Sequence, residues 1–219
     1  MSNEVQNKPT HKLYIGAGMF FILFLMLGSM VVLHDGKIIN EFDHAIFNFL
    51  NPAEMPFLTM FMNGISDLGS PAFNTVLAML IVVVLSLFRH FRLGIFIFMT
   101  FFGGSALALL FKVLVQRPRP SGKLVIDSGY SFPSGHVFTT SMIAFVLALI
   151  IYKKSQSVLV HDVTYVLAGL WVMTVAISRV FLRDHYPSDV LGSMLLACAV
   201  ICFALGLFRQ VMKNMGRTS

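Results

Sequence analysis

Apolar residues run in long blocks along this chain, and polar residues interrupt them at a few places. Runs bounded by charge or proline predict six membrane-spanning helices over residues 13–33, 71–88, 93–115, 136–152, 163–181 and 189–208. Each approaches the roughly 20 apolar residues that cross a hydrocarbon layer. Between the first two, residues 39–50 place Ile39, Phe42, Ile46 and Phe49 on one helical face, with Glu41, Asp43, His44 and Asn48 elsewhere. That is the pattern of a short helix lying in the membrane interface. Residues 56–69 read as a similar piece before Pro71 opens the second span. The expected fold is all-α: a polytopic membrane protein with six transmembrane helices and a short interfacial helical region between helices one and two. It divides into an N-terminal tail (1–12), one membrane domain (13–208) and a C-terminal tail (209–219).

Composition sharpens this picture. The 219 residues are 57% hydrophobic and only 12% charged, with a mean hydropathy of +0.80. Once six spans are drawn, no length remains for a large soluble domain. An even number of spans puts both termini on one side. If that side is cytoplasmic, it holds Lys8, Lys12, Arg89, Arg92, Lys153, Lys154, Arg209, Lys213 and Arg217, nine of the 16 Lys and Arg residues. Of the other seven, Lys112, Arg119 and Arg179 lie in polar stretches where function would hold them, so the bias is nine against four. Both termini are therefore expected in the cytoplasm of a plasma-membrane protein. A basic segment precedes the first span, as in a secretory signal. Its apolar run is long, and no small-x-small site follows before His34 and Asp35, which favours an uncleaved anchor helix.

Three polar stretches stand out: residues 112–120 (KVLVQRPRP), 133–136 (PSGH) and 178–189 (SRVFLRDHYPSD). The predicted topology brings all three to the outer face, where they can converge. Ionisable groups beside hydrocarbon persist where their chemistry is needed. Lys112, Arg119 and Arg179 offer one ammonium and two planar guanidinium forks, a set suited to a tetrahedral dianion, and no acidic metal cage accompanies them. Pro118 and Pro120 break the helix and place Arg119 on a stiff extended segment. Pro133, Ser134 and Gly135 lead into the fourth span, so unpaired N–H groups at a helix N-terminus face the same pocket. Ser134 is open between an ordinary N-cap and a phosphate contact, and the two are compatible. Pro187 suits the first turn of the sixth span, and Asp189 falls in that turn, able to return to one ring nitrogen of His185. This would fix the tautomer and leave the other nitrogen as nucleophile, with His136 as general acid and later as activator of water.

These patterns resemble those of the type 2 phosphatidic acid phosphatase superfamily: K-x6-RP in Lys112, Arg119 and Pro120, PSGH at residues 133–136, and SR-x5-H-x3-D in Ser178, Arg179, His185 and Asp189. The six-span layout is similar to the family's bacterial membrane phosphatases. The resemblance implies a metal-independent phosphatase without a cofactor, working through a phosphohistidine on His185. Asp189 would orient the nucleophile, His136 would act as acid, and Lys112, Arg119, Ser134, Gly135 and Arg179 would hold phosphoryl oxygens. The implied partners are the bilayer and a lipid phosphate, with no nucleic acid. Undecaprenyl diphosphate is favoured, and phosphatidylglycerophosphate or phosphatidic acid is the alternative. A lipid transporter or binding protein that only retains the pocket is the reading from another class, and the place of the cations at span ends speaks against it.

Some residues stay open or read as structure. Arg117, Lys123 and Arg183 are either a second phosphate site or, the favoured reading, solvated loop charges. Asp67 either caps the second span or faces the substrate entrance. His11, His34, His44, His90 and His161 read as structural or exposed. Cys198 and Cys202, four apart in one helix, read as packing and not as a disulfide. Trp171 reads as packing, and Gly16, Gly18, Gly103 and Gly104 as close helix contacts.

Overall fold

The computed structural model describes residues 10–33, 37–50 and 56–215. Lys8, His34, Asp35, Arg217, most of the predicted N-terminal tail and the last four residues of the C-terminal one lie outside the described residues. Eight helices follow in order: α1 (His11–Leu33), α2 (Lys37–Phe49), α3 (Pro56–Leu68), α4 (Pro71–Leu87), α5 (Phe91–Val115), α6 (Gly135–Lys154), α7 (Val158–Phe181) and α8 (Pro187–Met215). Among the described residues there is no strand. Six apolar stretches are long enough to cross a membrane, and α3 and α4 together form one of them, Pro56–Leu87. The chain is an all-helical, multi-pass membrane protein.

Hydropathy located the spans but not every helix end. α7 begins at Val158, five residues before the predicted 163, because the Ser157 hydroxyl accepts the Val160 N–H (3.5 Å) and starts the helix ahead of His161 and Asp162. α8 runs past residue 208 through Arg209 and Lys213, since polar residues continue a helix as readily as apolar ones.

The two short helices depart further from expectation. On α2 the buried stripe is Ile39, Asp43 and Phe47, while Phe42 and Phe49 face outward. The periodicity had put Asp43 on the polar side. It turns inward because a cation waits there, and the outward phenylalanines suit a lipid surface. α3 packs against α7 and brings Ser66 to Arg179, a contact the sequence did not suggest.

The site is positioned by α6, which contacts α4, α5, α7 and α8 and buries half of its span. α1 pairs with α8 along much of its length. The core where these helices meet holds Phe24, Phe101, Phe132, Phe138, Met142 and Leu196. Phe24 and Phe132 stack with ring centroids 5.5 Å apart. Gly104 meets Val200 and Phe138, and Gly16 meets Cys202, whereas Gly18 and Gly103 face open space. Trp171 is half-buried, and Cys198 and Cys202 are free thiols.

Polar groups fix the break between α3 and α4. Ser70 caps α4 by accepting the Phe73 N–H at 3.2 Å, and Pro71 opens the helix as predicted. The buried Asn74 amide donates to the Gly69 carbonyl (3.0 Å) and to the Thr139 and Thr140 hydroxyls (both 3.1 Å) on α6. Such interhelical hydrogen bonds join helices where lipid removes the usual hydrophobic drive.

Phe132 is fully buried two residues before Ser134, and its ring lies against Gly192 of α8, where a Cβ would come within 2.6 Å of it. Gly192→Ala is expected to cost about 1–3 kcal/mol by overpacking and to lower the thermal midpoint of the detergent-solubilised protein. Thermal unfolding followed by size-exclusion chromatography measures this.

Candidate active site

α5 stops where Gln116 takes a left-handed conformation (φ 51°) and returns its N–H to the Lys112 carbonyl at 3.1 Å. Pro118 and Pro120 then hold the chain out of helix, as the sequence predicts. The following loop crosses the end of the bundle and is pinned there by Leu124 N–H to the Leu182 carbonyl (3.0 Å) and Ser131 N–H to the Arg117 carbonyl (2.8 Å). Arg119 is fixed by its loop, donating to the carbonyls of Gly129 (3.1 Å) and Ser128 (3.0 Å). Lys112, on the last turn of α5, donates to the Tyr130 carbonyl at 2.8 Å, within electrostatic reach of Asp127, Asp184 and Asp189.

A tight turn between α7 and α8 presents His185. Arg183 is left-handed (φ 54°), and the N–H groups of Asp184 and His185 both donate to the Arg179 carbonyl, at 3.1 and 3.2 Å. The chain thereby doubles back, and the imidazole is almost fully buried. Its Nδ1 lies 3.5 Å from Asp189 Oδ2, the approach foreseen from the sequence, although as a close contact and not as a hydrogen bond. Its Nε2 lies 3.4 Å from the Arg119 guanidinium and 3.4 Å from Asp184 Oδ2. Burial first, then the cations of Arg179, Lys112 and Arg119, push the His185 pKa well below the ordinary imidazole value. The ring is neutral at neutral pH, the state a nucleophile requires.

At the start of α6, Ser134 occupies the N-cap position, but its buried hydroxyl makes no hydrogen bond among the described residues and does not cap the helix. The Ser134 N–H meets the Asp189 carbonyl at 3.5 Å, joining this helix end to α8. Gly135 begins α6 beside Pro71, and His136, one residue on, is half-buried. The eight residues singled out from the sequence, Lys112, Arg119, Ser134, Gly135, His136, Arg179, His185 and Asp189, are thus gathered at one end of the bundle.

Carboxylates that the sequence did not flag balance the cations. Asp184 forms very short ion pairs with both Arg119 and Arg179, and Arg179 also donates to Ser66 of α3. Asp127, partly exposed on the loop, bridges the same two arginines at 3.3 and 3.1 Å. Burial opposes its charge, but Arg119, the Ser128 N–H and Arg179 outweigh burial and hold its carboxyl below the usual range. Asp184 was detectable only as an acid beside the proposed nucleophile; no local pattern marked Asp127 or Ser66.

Arg117 corrects another expectation. It is neither a solvated loop charge nor free for a second phosphate: it is buried, donating to Asp189 Oδ1 (2.6 Å) and Asp43 Oδ2 (2.8 Å). Arg183 lies over the Phe47 ring at 4.6 Å and donates to the Phe47 carbonyl, while exposed Lys123 donates to the Asp127 carbonyl. Asp67 faces a cavity of about 530 Å³, also lined by Asn63, Ser66, Asp127, His136 and Arg179, and does not cap α4. Among the described residues no group of three or more His, Cys, Asp and Glu side chains gathers in a metal-holding arrangement. His11, His44 and His90 are exposed, and His161 lies against the Tyr152 ring at 4.6 Å.

A helical membrane bundle that gathers two histidines, three cations and an open helix N-terminus at one end belongs to the class of membrane enzymes that handle phosphate. Residues 89–213 match the PAP2 superfamily, and the chain belongs to that superfamily as a membrane lipid phosphatase. It is 28% identical over 193 residues to phosphatidylglycerophosphatase B of Bacillus subtilis, covering 87% of this chain and 94% of that protein. A crystal structure of a transmembrane PAP2-type phosphatidylglycerolphosphate phosphatase from Bacillus subtilis aligns with a TM-score of 0.73 and 27% identity, over 88% of this chain and 95% of the other. The Aquifex aeolicus LpxE structure shares the fold, with a TM-score of 0.54 and 22% identity over 73% of this chain and 93% of that one.

Lys112→Met removes one of the cations that disfavour the His185 imidazolium. The His185 pKa then rises towards its ordinary value of about 6.5, and the ring is protonated sooner as pH falls. The acid limb of the kcat/KM profile for phosphate release is expected to move to higher pH.

Proposed function

We propose that the protein hydrolyses the terminal phosphate of a membrane lipid phosphate through a phosphohistidine on His185, with phosphatidylglycerophosphate as its preferred substrate. The observation that carries this reading is the buried His185, with Nδ1 beside Asp189 and Nε2 beside Arg119. Nε2 attacks phosphorus as the bond to the lipid oxygen breaks, and His136, which takes up a proton once the negative charge of the substrate stands beside it, protonates the departing alkoxide. His136 then takes a proton from water, the water oxygen attacks phosphorus, the P–N bond breaks and inorganic phosphate leaves. Lys112, Arg119 and Arg179, with the Ser134 hydroxyl and the Gly135 N–H, hold the phosphoryl oxygens and stabilise the charge that develops on them. Asp127 is the counter-ion that the substrate phosphate displaces, because it is the exposed member of the arginine-bridging pair.

The cavity supports a glycerolipid over a diphosphate. Asn63, Asp67 and Asp127 beside His136 and Arg179 suit the free hydroxyl of a phosphorylated glycerol head group. The two carboxylates oppose a second phosphate joined directly to the first, as in a diphosphate, and Arg117 and Arg183, two of the cations considered for it, are engaged elsewhere. The expectation of an undecaprenyl diphosphate preference gains no support from this chemistry, and the name of the Bacillus subtilis relative agrees with the glycerolipid reading. Leu124 and Ile126, exposed on the cavity rim, provide an apolar approach for a substrate whose tail stays in the bilayer. The basic ends of α1, α4, α6 and α8 lie at the opposite end of the bundle, which supports cytoplasmic termini and a site at the outer face.

Purified protein offered phosphatidylglycerophosphate, phosphatidic acid and undecaprenyl diphosphate in EDTA is expected to release phosphate fastest from the first. His185→Ala is expected to abolish release while leaving the chromatographic profile unchanged. Strict metal dependence, or substantial turnover by His185→Ala, would remove the mechanism; a preference for the isoprenoid diphosphate would remove the substrate assignment. Asp67→Asn is expected to raise KM for phosphatidylglycerophosphate more than for phosphatidic acid, read from paired steady-state curves.

A further inference from the structure

Arg117 falls in the unspecified spacer of the K-x6-RP pattern, yet like Arg119 and Arg179 it pairs with two carboxylates. Arg117, Asp43 and Asp189 are 8%, 1% and 0% exposed. One guanidinium therefore serves two buried carboxylates that come from different helices, α2 and α8. One of its nitrogens donates to Asp189 Oδ1 at 2.6 Å and to the Ser188 hydroxyl at 2.8 Å. The other donates to Asp43 Oδ2 at 2.8 Å. Asp43 in turn accepts the Ser188 N–H on Oδ1 (2.9 Å) and the Ser188 hydroxyl on Oδ2 (2.7 Å), which closes a ring of contacts around the first turn of α8. The guanidinium carbon also lies over the Tyr186 ring, 3.8 Å from its centroid, and that ring packs against Phe47 of α2.

This arrangement divides the two oxygens of Asp189 between two tasks. Oδ1 belongs to Arg117. Oδ2 accepts the Tyr186 N–H at 2.9 Å and is the oxygen turned to His185 Nδ1. A carboxylate held at one oxygen by a charged, planar donor cannot rotate away from the imidazole. We propose that Arg117 is a positioning residue of the reaction: clamped by Asp43 of α2 and by the Tyr186 ring, it fixes the Asp189 carboxylate so that its second oxygen orients His185. The short helix α2 becomes part of the catalytic apparatus without touching substrate.

The proposal rests on the phosphohistidine reading of His185, and its test separates the two. Wild type, His185→Ala, Arg117→Met, Arg117→Lys, Asp43→Asn, Asp189→Asn and the Arg117→Met/Asp189→Asn pair are purified in detergent, checked for a monodisperse profile, and assayed for phosphate release from phosphatidylglycerophosphate in mixed micelles. Arg117→Met is expected to lower kcat roughly 10- to 100-fold, the range seen when a group that orients another is removed, with KM changed by less than about twofold. Arg117→Lys recovers part of kcat, since an ammonium reaches one carboxylate but lacks the fork. Asp43→Asn, which loosens the clamp and leaves Arg117 on Asp189, loses less than Arg117→Met.

The decisive comparison is non-additivity. If Arg117 acts through Asp189, adding Arg117→Met to Asp189→Asn lowers kcat by less than about threefold further. Multiplying losses, a change confined to KM, or an Arg117→Met protein with wild-type kcat overturns the proposal. If Arg117→Met proves misfolded, the cycle is run with Arg117→Lys against Asp189→Asn and is read in the same way. A folded wild type that releases no phosphate, or an active His185→Ala, refutes the underlying reading; an active wild type with an inactive His185→Ala and an unaffected Arg117→Met refutes this inference alone.

Discussion

The Asp184 carboxylate between Arg119 and Arg179 organises this end of the molecule. Two guanidinium groups brought together beside hydrocarbon repel each other and lose hydration, and neither effect is tolerable without an anion between them. Asp184 supplies that anion from the turn that carries His185, so the ion pair also fixes where the imidazole sits. The end of α5 reaches it through Arg119 and the end of α7 through Arg179. Ser66 brings α3 to the same point. Burial foremost lowers the pKa of the histidine, and the cations that would bind a phosphoryl group penalise a proton on the ring further.

A second ionic centre, Asp43–Arg117–Asp189, lies on the far side of His185. The imidazole stands between the two, with Nε2 towards the first and Nδ1 towards the second. The apolar helices provide what neither centre could supply alone. Phe132, stacked on Phe24 and seated on Gly192, ties the loop ahead of Ser134 to α1 and α8, so the N-terminus of α6 is held by the core as well as by the polar groups.

What could be read from the sequence follows from the range of the forces involved. Hydrocarbon thickness acts on consecutive residues, and the six spans were legible as apolar runs. The eight proposed site residues could be singled out because prolines, a helix start and cations sit within a few positions of them, and the fold gathers them at one end. Asp43 and Arg117 were misjudged for the opposite reason: their partner lies 74 residues away, and periodicity on α2 counts any aspartate as a solvated face. A carboxylate turned inward is paired across the fold, and hydropathy has no means of representing that pairing. Asp127 and Asp184 were missed on the same ground, since each gains its meaning from arginines on other elements. The bounds of α7 and α8 differed where polar residues extend a helix beyond its apolar core.

Asn74 has a mechanical consequence. Its amide reaches the Gly69 carbonyl and the Thr139 and Thr140 hydroxyls in a buried setting, and turning α4 by one residue against α6 would strand that amide in an apolar surround, at a cost of several kcal/mol. Sliding between these helices is therefore quantised: Asn74 acts as an index pin that permits one seating and rejects its neighbours. The end of α6 that carries His136 is thereby keyed to α4 in a single register.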